Sequence, residues 1–96
     1  MTLLTDAEIE KLLAEREQWQ RVEGSENAIA REWKLADFAA AIAFVDRVAQ
    51  AAEAANHHPD ILVHGWNKVR LTLSTHSQGG LTDSDFALAG EIDRLA

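Results

Sequence analysis

The feature that most restricts the fold is an alanine-rich segment, residues 38–55, which reads FAAAIAFVDRVAQAAEAA. Asp37 precedes this segment and can cap a helix that begins there. The single proline of the chain, Pro59, follows the adjacent pair His57 and His58. Because a residue before proline is pushed out of the helical backbone region, we expect the helix to end before this pair. A long central helix therefore divides the chain.

The spacing of apolar residues in this helix predicts the face that packs on the rest of the protein. The predicted stripe consists of Phe38, Ile42, Val45 and Ala49, and it is widened by Phe44 and Val48. The many alanines allow close approach to a sheet. We therefore expect this stripe to be buried.

Strand patterns occur in pairs on both sides of the central helix. Before it, residues 19–22 and 28–35 are predicted strands, joined by a turn at residues 23–27 whose sequence, EGSEN, favours turns. After it, residues 61–67 and 68–76 form a second predicted pair. Apolar and polar side chains alternate along the second and fourth of these strands, which is the period of a half-buried strand.

The first and last helices begin with the same local signal. Thr5 and Glu8 form a capping box at the start of the first helix, and Thr82 and Asp85 form one at the start of the last. In each case a leucine before the cap can pack on an apolar residue of the first turn. Asp85 is thus explained, in the simplest reading, as a helix-opening acid.

The element order is therefore α-β-β-α-β-β-α. Paired strands predict an α+β fold in which a four-stranded antiparallel sheet carries three helices packed on one face. With 96 residues, the chain is predicted to be a single domain spanning residues 1–96. The other face of the sheet is expected to be open to solvent or to a partner.

Charge and composition exclude several classes of function. The net charge is −7, with 16 acidic and 9 basic residues, and no basic cluster is present to bind nucleic acid or an anionic membrane. The absence of cysteine excludes disulfides, thiolate zinc sites and iron–sulfur clusters. The N-terminal sequence has acidic residues where a signal peptide has basic ones, so we expect a soluble cytoplasmic protein.

All four histidines lie between residues 53 and 76. His57 and His58 could merely satisfy the last carbonyls of the central helix. A metal site is disfavoured, because adjacent histidines lack the spacing of helical ligand pairs. General acid–base chemistry fits better, since histidine titrates near neutral pH and His76 ends a strand nearby. His64 is interpreted as a solvated strand residue.

These residues, at these spacings, resemble the signature of the pterin-4a-carbinolamine dehydratases. That signature places a charged residue four positions before a His-His-Pro triplet, then an aromatic residue, a histidine and an aspartate. The corresponding residues are Glu53, His57, His58, Pro59, Trp66, His76 and Asp85. The likeness also includes WQRVEG, AIAREWKLADF and NKVRLTLSTH, and it covers about residues 4–95.

The resemblance implies a reaction, which is the loss of water from a 4a-hydroxytetrahydropterin to give the quinonoid dihydropterin. It implies no metal and no cofactor, with a small pterin as the substrate partner. The catalytic residues that it implies are His57, His58 and His76. The expected substrate contacts are Trp19, Glu53, Pro59, Trp66, Thr75 and Asp85, with Trp19 or Trp66 at the rim of a shared concave site.

Two other expectations accompany this reading. A homo-oligomer, either a dimer or a tetramer, is plausible because the sheet has an open face and apolar edges. The competing function is a non-catalytic assembly or coactivator-like module of the same fold, and the presence of all three histidines favours the enzyme over this alternative.

Overall fold

A computed structural model describes residues 2–22 and 27–96 of the chain. The helices are α1 (Asp6–Ala14), α2 (Phe38–Ala55) and α3 (Asp83–Asp93), and the strands are β1 (Gln20–Val22), β2 (Ala28–Lys34), β3 (Asp60–His64) and β4 (Lys68–Leu73). The predicted order of elements and the predicted fold class are confirmed. Apart from Asn27, the predicted turn between β1 and β2 lies outside the described residues.

The four strands form one antiparallel sheet in the order β1-β2-β4-β3. β2 and β4 pair at the centre, so the two hairpins meet there, and β3 forms one edge. One face of the sheet contributes buried residues to the core, and apolar residues of all three helices join it. The main sheet residues of this core are Ile29, Trp33, Val69, Leu71 and Leu73.

The face of α2 that packs on the sheet differs from the predicted one. Ala41, Phe44, Val48 and Ala52 are buried, whereas 55% of Phe38 and 37% of Ile42 are exposed. The prediction was wrong for these two residues and for Ala49, which is also exposed, because α2 carries two apolar stripes, each with helical spacing. The stripe with small alanines allows the helix backbone to approach the sheet closely, and the bulkier stripe is left at the surface.

The hairpin of β3 and β4 is shorter than predicted. β3 ends at His64, because Gly65 and Trp66 both adopt positive φ angles, of 53° and 58°, and turn the chain back. β4 ends at Leu73, and a 3₁₀ turn, His76–Gln78, follows it. His76 therefore does not continue the alternation of the strand, and its position is decided by this turn.

Both predicted capping boxes are present. In α1, the Thr5 hydroxyl accepts the Glu8 N–H at 3.2 Å, and the Glu8 carboxylate accepts the Thr5 N–H at 2.8 Å. In α3, Thr82 and Asp85 make the same reciprocal pair. The first box lies at the surface, and the second is buried.

We expect acid to loosen the start of α1. The Thr5 backbone N–H and, to a lesser extent, its hydroxyl lower the pKa of the Glu8 carboxyl below 4.5. A lowered folded-state pKa means that this contribution to stability is complete above 4.5 and is lost as the pH falls through the folded pKa. The NMR shift of the Thr5 amide proton should titrate with a midpoint below 4.5. The titration should vanish in Glu8→Gln, and a midpoint at or above 4.5 in the parent protein would contradict the assignment.

Candidate active site

The end of α2 leaves both histidine rings available for other contacts. Asn56 adopts the left-handed conformation, with φ at 50°, and its N–H reaches the carbonyls of Ala52 and Glu53. The His57 N–H also donates to the Ala52 carbonyl, at 3.1 Å. Backbone groups therefore satisfy two of the last four carbonyls of the helix. The simpler interpretation of the histidines, as caps of this helix, does not describe their side chains.

The His57 ring binds a buried carboxylate. Its Nε2 atom lies 2.5 Å from Oδ1 of Asp85, which is 28 residues away in the sequence. The His57 side chain is 14% exposed, and Asp85 has no exposed surface. The Asp85 carboxylate thus fixes one edge of the His57 ring, and only a small part of the side chain faces solvent.

The second oxygen of Asp85 ties two other elements to the same point. Oδ2 accepts the hydroxyl of Thr75, at 2.8 Å, and the backbone N–H of Thr82, at 2.9 Å. Thr75 follows the end of β4, and Thr82 is the N-cap of α3. One carboxylate therefore joins the end of α2, the end of β4 and the start of α3.

The two other predicted catalytic histidines lie next to this cluster in the sequence. His58 directly follows His57, its side chain is 58% exposed, and its Nε2 atom is in close contact with Oε2 of Glu53. His76 directly follows Thr75 and lies exposed at the start of the 3₁₀ turn. Each of these two histidines therefore directly follows a residue that binds the Asp85 carboxylate.

Neither tryptophan occupies the expected rim. Trp19 is 2% exposed, donates its indole N–H to Asp93 at 2.9 Å, and packs edge to face on Trp33 in the core. Trp66 is 62% exposed at the tip of the β3–β4 hairpin. β4 holds six residues, so it places Trp66 about 20 Å from the Thr75 end of the strand. Pro59 is half-buried and directly follows His58.

His64 lies on the other face of the sheet. It pairs in register with Lys68, among the side chains that point away from the helices, and its Nε2 atom is 2.6 Å from the Glu32 carboxylate. Its position is thus separate from the Asp85 cluster. Its side chain is 39% exposed, in line with its interpretation as a solvated strand residue.

A cavity of about 270 Å³ reaches His57 between the end of α2 and the start of α3. Its lining residues are Ala55, His57, Ser84, Ala87, Leu88 and Glu91. A cavity of similar size, about 260 Å³, has no histidine in its lining and includes Glu32 and Arg70. Of these two cavities, the first is the one that gives a ligand access to His57.

The family of the chain is shown by its sequence. Residues 2–95 match the model of the family described as pterin 4 alpha carbinolamine dehydratase. The chain belongs to this family. Membership supports pterin carbinolamine dehydratase activity in general.

Individual relatives are similar over nearly their whole length. A Chloroflexus aurantiacus protein, provisionally named a pterin-4-alpha-carbinolamine dehydratase, is 53% identical over 95 residues, which is 99% of this chain and 98% of the relative. A Nocardia farcinica protein with the same provisional name is 51% identical over 94 residues, covering 98% of this chain and 95% of the relative.

Two solved structures share the fold. One, described as a transcriptional coactivator/pterin dehydratase from Brucella melitensis, has a TM-score of 0.91 at 37% identity and covers 99% of both chains. The other is described as a pterin dehydratase-like protein that is a RuBisCO assembly factor in the alpha-carboxysome. Its TM-score is 0.69 at 26% identity, with 82% of this chain and 89% of the other covered. Relatives of the family thus include proteins described by roles other than dehydration.

Thr82 is the member of the cluster that the sequence did not associate with the dehydratase site. The sequence predicts its capping box, and it gives Asp85 both a helix-opening role and a place in the family signature. The two roles are compatible, because the same Oδ2 atom accepts the Thr82 N–H and the Thr75 hydroxyl. The apolar residues on both sides of this box, Leu81 and Phe86, were a signal that it would be buried.

Two further observations concern metal and membrane. Across residues 2–22 and 27–96, no three His, Cys, Asp or Glu side chains are grouped so that they could hold a metal ion. None of the helices in this part of the chain combines the length and the apolar character needed to cross a bilayer.

Proposed function

We propose that this chain dehydrates a 4a-hydroxytetrahydropterin to the quinonoid dihydropterin, in the recycling of a tetrahydrobiopterin-type cofactor. The observation that best supports this proposal is the hydrogen bond between His57 and the buried carboxylate of Asp85. A histidine held in this way is suited to general acid–base catalysis, because one ring nitrogen is fixed and the other is left for the substrate. Family membership supplies the substrate class.

The proposed reaction needs one proton removed and one supplied. The C4a–O bond breaks, the N5–H proton is removed, and the N5 electron pair forms the C4a=N5 double bond. The departing hydroxide takes up a proton and leaves as water. General acid–base catalysis of such a step is worth roughly 10²–10⁴ in rate.

His57 is proposed to be the base. Its Nε2 atom donates to Asp85, so the lone pair of the neutral ring resides on Nδ1. The contact with Asp85 uses Nε2, so Nδ1 is left for the substrate. This nitrogen is the one that can accept the N5 proton.

His58 and His76 are proposed to act as acids toward the leaving hydroxide. The hydroxyl group of the substrate can lie on either face of the pterin ring, so a histidine on each side allows either isomer to react. Glu53 and Pro59, which flank His58, are retained as proposed substrate contacts. Asp85 and Thr75 are proposed to act on the substrate through His57, since both are buried.

A stopped-flow assay of 4a-hydroxytetrahydropterin decay tests this function. The protein should accelerate decay to the quinonoid product above the uncatalysed rate. The competing proposal, a non-catalytic assembly or coactivator-like module, is motivated by the descriptions of the two structural relatives. Decay at the uncatalysed rate with the folded protein present would reject the dehydratase and favour that module.

We also propose that the chain forms a homo-oligomer through the exposed stripe of α2. Phe38 and Ile42 are large apolar side chains at the surface of this helix. Phe38→Glu should therefore lower the molar mass measured by size-exclusion chromatography with light scattering. Ala43→Glu, at an exposed position of α2 off this stripe, is the matched control and should leave the mass unchanged. Equal masses for the two variants and the parent protein would contradict this interface.

A further inference from the structure

The Asp85 carboxylate ends a chain of hydrogen bonds whose direction can be assigned. The Thr75 hydroxyl has a single proton, which it donates to Oδ2 of Asp85. It must therefore accept in its contact with the Thr82 hydroxyl, at 2.8 Å. The Thr82 oxygen in turn accepts the Ser84 N–H at 3.3 Å. All donors thus point toward the carboxylate.

These bonds favour one form of the acid. The backbone N–H of Thr82 can only donate, which favours an Oδ2 atom without a proton. With the Thr75 hydroxyl as a second donor, the ionised carboxylate is stabilised although it is fully buried. The remaining oxygen, Oδ1, is then left as an acceptor for His57.

From this arrangement we infer that the hydroxyls of Thr75 and Thr82 are positioning groups for the dehydration reaction. They keep Asp85 as an acceptor, and Asp85 keeps the proton of His57 on Nε2, so that Nδ1 remains a base. Without the Thr75 hydroxyl, Oδ1 can take up a proton from solvent and donate it to Nε2, and the proton of the neutral imidazole then resides on Nδ1. This inference rests on the proposed function. It assigns the two threonines an effect on the His57 imidazole, which they influence only through Asp85.

The burial of these side chains supports a role through Asp85. Thr75 is 6% exposed and Thr82 has no exposed surface. The Thr75 N–H and carbonyl are also occupied, since both bond to Gly80. The polar groups of Thr75 are therefore committed within the protein, and its hydroxyl reaches the substrate site by way of the carboxylate and the imidazole.

Thr75→Val tests the inference, because valine keeps the shape of threonine and removes the hydroxyl. Ring ¹⁵N NMR of histidine-labelled protein should show His57 with its proton on Nε2 in the parent and a shift toward Nδ1 in the variant. The turnover number should fall about tenfold or more, the effect of losing a hydrogen bond to a charged group, with little change in KM. Thr75→Ser should restore both properties. Thr72→Val, on the open face of the same sheet, should alter neither.

Two outcomes would overturn the inference. If Thr75→Val lowers only the melting temperature and leaves the tautomer and turnover unchanged, Thr75 only supports the local structure. If the tautomer shifts and turnover is unchanged, the hydroxyls do not position a group of the reaction. Thr75→Ala removes the hydroxyl without adding bulk and serves if the valine variant does not fold. The NMR measurement needs no substrate, so it separates failure of this inference from failure of the proposed dehydratase activity.

Discussion

Replacing either His58 or His76 with alanine should lower the turnover of 4a-hydroxytetrahydropterin by about 10²- to 10⁴-fold, the usual contribution of a general acid or base. Both residues are exposed, and each directly follows, in the sequence, a residue that binds the Asp85 carboxylate. Some activity should persist in each variant, because His57 and the other histidine remain. Single-turnover stopped-flow rates, corrected for the uncatalysed reaction, provide the measurement.

His64→Ala is the matched control for these two variants. It also removes a histidine, but His64 lies at the end of β3 and bonds to Glu32 on the face of the sheet that carries no helix. Its turnover should remain close to that of the parent protein. A strongly reduced turnover in His64→Ala would show that the catalytic assignment is wrong. Turnover at the parent rate in both His58→Ala and His76→Ala would show the same.

Asp85→Ala should destabilise the protein by about 3–5 kcal/mol, the usual effect of breaking a buried ion pair or hydrogen-bonded charge. The substitution leaves three donors without their acceptor, namely the His57 ring, the Thr75 hydroxyl and the Thr82 N–H. It also removes half of the capping box of α3. For a domain with a stability of roughly 5–15 kcal/mol, this loss is a large fraction of the total.

The protein contains its own control for this prediction. Glu8→Ala breaks the equivalent capping box of α1, which lies at the surface, and it should change stability far less. Urea denaturation of the two variants and the parent gives the free energies of unfolding. Equal small losses for both variants would mean that Asp85 acts only as a helix cap and that its contacts with His57 and Thr75 contribute no net stability.

Local signals were sufficient to predict most of the secondary structure. Asp37 and the two capping boxes identified the starts of the helices, because each box depends on residues three positions apart. The strand alternation of Val69, Leu71 and Leu73 predicted the side of β4 that is buried. These features involve neighbours in the sequence, and the backbone hydrogen bonds that they favour form within a few residues of each other.

The contacts that build the candidate site could not be read from such local patterns. The family signature supplied the residue types, His57 and Asp85 among them. Their pairing over 28 positions exists only because the end of α2, the end of β4 and the start of α3 meet at the same place. The choice between the two apolar stripes of α2 was also made by packing on the sheet. The sequence by itself determined the elements, their order and the family of the chain. The tertiary structure decided which side chains meet, because burial and hydrogen bonding between distant residues depend on how the elements pack.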